Sequence, residues 1–303
     1  MDIRTITTSR LTESVIAVPP LARDRNLQLD AGQNRRLIQF MEAGGITTLL
    51  YGGNAVLYHA RVSEYSSLLQ MLVESTSNDT LVVPSVGPAF GTMMDQAEIL
   101  RDFDFPTVMV LPQKEIADAH GIASGIRRFA EALGKPIVLY LKHDQWLPSE
   151  LVGKMHRGGI ISWIKYAVVR DNPAEDRYLS EVLEHVPSEI LVSGIGEQPA
   201  IVHLRDFEIA SFTSGCVCVN PKLSMKMLRA IQSKDYDLAE QIRIQFQGLE
   251  DLRNGINPIR VLHRAVELAD IAETGPMYPM LGELTATETS DVGAAANALK
   301  ALE

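Results

Sequence analysis

The sequence predicts a (β/α)8 barrel, that is a TIM barrel, with a C-terminal helical appendix, and three observations carry that expectation. Eight short apolar runs, rich in Val, Ile and Leu, alternate with longer amphipathic stretches. The runs lack strict in–out alternation, as expected of parallel strands covered on both faces. The first run is followed by Pro19-Pro20-Leu21-Ala22-Arg23, without the glycine fingerprint that an open dinucleotide-binding sheet places there. At 303 residues the chain is long enough for one such barrel and additional helices.

The expected strands are Val15–Val18, Thr47–Tyr51, Leu81–Pro84, Thr107–Leu111, Ile137–Leu141, Ile160–Tyr166, Ile190–Ser193 and Gly215–Val219. Helical periodicity between them is clearest over Gly32–Ala43, Ser63–Ser75, Met93–Asp102, Glu115–Leu133 and Ala174–Val186. From Lys222 to Ala269 three helices follow one another, with starts marked by Asn220-Pro221, Asp235 and Asn257-Pro258. Helices in succession no longer fit a β-α repeat, so the chain divides into a barrel over 1–221 and helices with a tail over 222–303. Thr274–Leu284 reads as a Pro/Gly loop, and the small, polar stretch from Thr285 as a loose helix or mobile tail.

Charge and composition narrow the function. A net charge of −10 with scattered Lys and Arg excludes a phosphate-neutralising nucleic-acid binder. No apolar run reaches the roughly 18–20 residues needed to span a bilayer. The N-terminus lacks a signal-peptide core, so a cytoplasmic protein is expected. Cys216 and Cys218 lie too close to form a disulfide and lack partners at ligand spacing, so they read as buried thiols in the eighth strand. Neither a metal nor an organic cofactor is expected. A metal-dependent aldolase would need several His at strand ends, whereas the seven His fall mostly on helices.

Enzymes of this architecture build their sites at the carboxyl ends of the strands. That rule singles out Gly52-Gly53-Asn54 after the second strand, Tyr140 on the fifth, Lys165 on the sixth and Ser193-Gly194 after the seventh. Lys165 sits in the apolar run GGIISWIKYAV. If its side chain enters the lumen, desolvation lowers its pKa and yields neutral amine, the nucleophile for a carbonyl. Alternatively the lysine snorkels to solvent or pairs with a carboxylate. Tyr140 is placed either to relay protons or simply to pack at the rim. The paired glycines either turn backbone N–H groups toward a small anion or form an ordinary strand-to-helix turn. His59, His143 and Asp144 are further acid–base candidates.

In order and spacing these pieces resemble the dihydrodipicolinate synthase / N-acetylneuraminate lyase family of pyruvate-type class I lyases, from about Val15 to Leu284. The resemblance rests on Gly52-Gly53-Asn54-Ala55, on VVPSVGPAFG at 82–91, and on Tyr140 followed twenty-five residues later by Ile164-Lys165. Ser193-Gly194 and the run GCVCVNP extend it. It implies that Lys165 is the Schiff-base lysine and Tyr140 the proton shuttle. It further implies that Gly52, Gly53 and Asn54 hold the substrate carboxylate while Gly194 and Val217 line the pocket beneath the iminium. A homo-oligomer, dimer or tetramer, is implied as well.

Three departures accompany it. Gly53 and Asn54 replace the two hydroxyl residues of the family's glycine loop, so Asn54 would have to bridge to Tyr140. Pro112-Gln113-Lys114 stands where the synthases carry a Pro-Tyr-Tyr stretch. Lys142 and His143 follow the fifth strand in place of an arginine. These changes argue against a lysine-pathway synthase and for a lyase, aldolase or dehydratase on another 2-oxo acid or 2-oxo-3-deoxy sugar acid. A non-catalytic barrel that binds a small oxo acid, or serves a structural or regulatory role, is the alternative.

Overall fold

A computed structural model describes residues 1–302 of the chain. A short helix α1 (Thr8–Thr12) leads into β1 (Ile16–Ala17), then α2 (Ala31–Ala43), β2 (Thr48–Tyr51), α3 (Val62–Ser75), β3 (Leu81–Val86) and α4 (Phe90–Leu100). The alternation continues through β4 (Met109–Val110), α5 (Ala119–Leu133), β5 (Ile137–Leu141), α6 (Ser149–Arg157), β6 (Ile161–Tyr166) and α7 (Arg177–Leu183). It ends with β7 (Leu191–Ser193), α8 (Ala200–Asp206) and β8 (Ser211–Ser214). The eight strands pair in sequence order, all parallel, and β8 returns to β1 to close the barrel. The predicted (β/α)8 architecture is therefore the observed one.

The C-terminal helices are α9 (Pro221–Gln232), α10 (Tyr236–Gly255), α11 (Pro258–Leu268) and α12 (Ala286–Lys300). Their starts are set by the residues singled out from sequence. Asn220 accepts from Leu223 N, Asp235 from Leu238 N, and Asn257 from Ile259 N and Arg260 N. Each cap satisfies amide groups that the first helical turn leaves without partners. Among the described residues no helix is long and apolar enough to cross a membrane.

Three expectations are corrected. The eighth strand is Ser211–Ser214; Cys216–Cys218 forms a one-turn 3-10 helix instead. The polar residues of Ser-Phe-Thr-Ser hid the strand, because its small hydroxyl side chains are buried through hydrogen bonds rather than hydrophobicity. The apolar run behind it is buried as a helical turn against α9, and both thiols are buried and free. The helix expected from Glu115 begins at Ala119, where Asp118 caps it through Gly121 N; Glu115 itself has a positive φ. The tail is a regular helix rather than a loose one. Thr285 and Glu288 form a capping box, and Val292, Ala296 and Leu299 are buried.

Candidate active site

Strand register builds the site. Tyr140 of β5 pairs with Lys165 of β6, Lys165 with Val192 of β7, and Val192 with Ser211 of β8. Residues in register on neighbouring strands share a face, and here that face includes a lysine side chain only 5 % exposed. Lys165 Nζ lies 4.5 Å from the centroid of the Tyr140 ring. Trp163, two residues earlier on the same strand, is fully buried. Burial pushes the Lys165 amine down to about 7, and the positive charges of Lys142 and Arg253 push in the same direction. Burial pushes the Tyr140 phenol up to about 12, so it keeps its proton at neutral pH. Lysine and tyrosine are both poised to be neutral.

Gly194 lets the next strand approach this lysine. A β-carbon there would lie 2.6 Å from Ala167 Cβ, 2.9 Å from Tyr166 O and 3.0 Å from Lys165 Cγ. Gly52 is similarly confined, with Met109 Cε at 2.7 Å and Ser85 Oγ at 3.0 Å from the same hypothetical atom. Gly53 is not: its nearest neighbour there would be Tyr58 Cε2 at 3.8 Å. Past β2 the chain turns so that Val56 N and Leu57 N bond back to Gly53 O and Gly52 O. The N–H groups of Gly53, Asn54 and Ala55 meet no protein acceptor among the described residues. Such a row of amides is a concavity suited to an anion.

The Asn54 side chain does not bridge to Tyr140. Its Nδ2 donates to Val18 O at 2.8 Å, and the Asn54 backbone carbonyl meets His263 Nε2 at 3.0 Å. The hydroxyl-bearing neighbour of Tyr140 is instead Tyr58, on a one-turn 3-10 helix (Leu57–His59) just after the loop. Burial, and secondarily the Tyr140 phenol, hold Tyr58 protonated. Ser193 turns away from the lumen, its Oγ 2.8 Å from His203 Nδ1 between barrel and α8. Val217 is buried in the one-turn helix after β8, its N–H on Ser214 Oγ. Asp144 pairs with Arg170, and His59 is exposed. Of the residues singled out from sequence, Lys165, Tyr140 and Gly194 are in direct contact, and the Gly52–Asn54 loop leads on to Tyr58.

Two groups near the mouth went unread in the sequence. Glu197, Cys216 and Glu250 bring one ligand atom each within 4.8 Å of one another. Their surroundings suit a cation poorly. Ser214 and Ser224 hydroxyls already donate to Glu197, Glu197 N–H donates to Glu250 Oε1 at 2.9 Å, and Arg253 Nη1 stands 3.8 Å from Cys216 Sγ. Burial raises the pKa of both carboxyls, which favours their neutral forms over metal-binding carboxylates. The other group is Arg253, which reads in sequence as an ordinary basic residue in the last turn of α10. Its burial is a consequence of how that helix packs on the one-turn helix after β8.

Neither a family model nor a curated protein sequence matches this chain. Solved structures do match in fold. A dihydrodipicolinate synthase from Bacillus clausii superposes with a TM-score of 0.85 at 21% identity, covering 97% of this chain and 100% of that one. One from Agrobacterium tumefaciens gives 0.85 at 16% identity over 97% and 100%. A sialic acid aldolase from Ruminococcus gnavus gives 0.83 at 15% identity over 95% and 97%. The structural neighbours are thus the proteins whose motifs the sequence resembles, and at these identities what they share with this chain is the fold.

Proposed function

We propose that this chain is a class I lyase that joins Lys165 to the carbonyl of a 2-oxo acid as a Schiff base, and cleaves or forms a carbon–carbon or carbon–oxygen bond through that adduct. The observation that carries the reading is Lys165 itself, buried, near neutrality in its charge state and packed against a protonated phenol. The neutral amine would add to C2, the carbonyl oxygen would take up protons and leave as water, and the resulting iminium would draw electrons from the neighbouring bond. Tyr140 is the group within reach to carry those protons, with Tyr58 behind it. The anion-binding loop after β2 and the excess of positive charge around the lysine support an acid as the substrate.

The test is reductive trapping. With pyruvate and borohydride, mass spectrometry should find one reduced adduct, on the peptide carrying Lys165. Lys165→Ala should lose both the adduct and turnover of 2-oxo-3-deoxy acids while keeping the fold; full activity in that variant would sink the reading. A second reading, a barrel that binds an oxo acid without turning it over, draws on the diversion of Asn54 to Val18 O. An adduct without turnover across a panel of 2-oxo acids would favour it.

A further inference from the structure

Arg253 is 9 % exposed, yet no carboxylate among the described residues forms an ion pair with it. Its Nε is 3.5 Å from Pro258 O and its Nη1 3.8 Å from Cys216 Sγ, both at the outer edge of contact. Its Nη2 meets no acceptor among the described residues. The guanidinium is thus held only by weak protein contacts, and its Nη2 is not fully enclosed, so a ligand can reach and complete it. Glu250, one helical turn earlier, and Glu197 lie close enough to act on its charge, but neither forms an ion pair with it.

Its place in the barrel identifies the missing partner. A β-carbon on Gly215, just past β8, would lie 2.7 Å from Arg253 Nη2 and 3.1 Å from Asn54 Nδ2. The guanidinium therefore lies over Gly215 on the side of the Asn54 side chain, whose loop carries N–H groups without acceptors, and its positive charge acts to lower the Lys165 pKa. A cation beside a loop with free amides, near a nucleophilic amine, is complementary to a carboxylate next to a carbonyl.

Building on the Schiff-base reading above, we infer that Arg253, delivered by α10 rather than by a barrel strand, is the anchor for the C1 carboxylate of the 2-oxo acid. It takes over the grip that side-chain hydroxyls on the loop would otherwise supply, and it selects acids over neutral carbonyl compounds.

The experiment compares two probes of nearly equal size, pyruvate and its neutral amide, pyruvamide. For each, the concentration giving half-maximal borohydride adduct on Lys165 is measured in wild type, Arg253→Met and Arg253→Lys. Both probes react with the same lysine, so any change in its ionisation cancels in their ratio. Wild type should favour pyruvate, and Arg253→Met should raise the pyruvate value on the order of 10- to 100-fold. The pyruvamide value should stay within about twofold, and Arg253→Lys should fall between. An unchanged ratio in Arg253→Met, or no preference in wild type, overturns the assignment.

If Arg253→Met does not fold, Gly215→Ala provides the same readout, since its added methyl displaces Nη2. If wild type traps neither probe, the Schiff-base reading fails, but calorimetric binding of pyruvate still tests Arg253. Binding that disappears in Arg253→Met upholds the anchor; binding that persists, or is absent in wild type, rejects it.

Discussion

Two arginines, almost equally buried at opposite ends of the barrel, are solvated in opposite ways. Arg10, 8 % exposed at the amino end, donates to Thr47 O at 2.6 Å and Asp79 O at 2.7 Å and pairs with Asp2 and Glu13. Its carbonyl partners stand just before β2 and β3, so it ties the barrel's floor to the segment around α1. Arg253, 9 % exposed at the carboxyl end, has no ion pair and no close acceptor among the described residues. The chain supplies most of Arg10's partners itself and leaves Arg253 open on the side where the proposed substrate would bind. The same split separates the floor from the mouth of barrel enzymes in general.

Stability measurements can break that comparison most directly. Arg10→Met leaves the Thr47 and Asp79 carbonyls without their buried donor, while Asp2 keeps Arg4, and should cost about 2 kcal/mol in chemical denaturation. Arg253→Met removes a buried charge that has no ion pair among the described residues, so its midpoint should match or exceed wild type. Equal losses at the two sites would mean that Arg253 is a structural arginine after all.

The pH dependence of trapping sharpens the contrast. Only neutral amine reacts, so at saturating borohydride the rate of adduct formation should fall about tenfold per unit as pH drops below about 7, the value to which burial brings Lys165. The sign for stability follows from the same depression below 10.5. Between these values the unfolded chain binds a proton that the folded chain does not, so stability attributable to Lys165 rises with pH across that window. Relative to wild type, Lys165→Met should therefore gain most at or below pH 7, and its advantage should shrink toward pH 10. A pH-independent gap would place the lysine's charge in solvent.

The smallest contrast lies between two glycines of the mouth. Gly194→Ala forces a methyl into Ala167 Cβ and Lys165 Cγ, and should destabilise by ~1–2 kcal/mol and slow trapping. Gly53→Ala has room at 3.8 Å and should change either quantity by less than about 0.5 kcal/mol. The pair separates glycines needed for close approach from one that is not.

Much of this was legible because it is local. Ile137–Leu141 is found as a strand over the residues its apolar run predicts, and the helix starts at Asn220, Asp235 and Asn257 follow from caps that bond within three residues. The pairing of Tyr140 with Lys165 was legible for a related reason, since each closes a recognisable strand and parallel register brings adjacent strand ends together. Ser211–Ser214 was misread because burial there is satisfied by hydroxyl hydrogen bonds, which leave no apolar trace. Asn54 was misassigned because its partner, Val18 O, lies just past β1, far away in the chain.

The sequence by itself determined the barrel, its helical appendix and the lysine–tyrosine pair, because periodicity, capping and strand order act over short stretches of chain. Only the tertiary structure decided that Asn54 bonds across to Val18, that Gly194 packs on Lys165 and that Arg253 turns inward over Gly215. Those contacts join residues 36, 29 and 38 positions apart, and burial and field depend on which surfaces meet rather than on which residues follow one another.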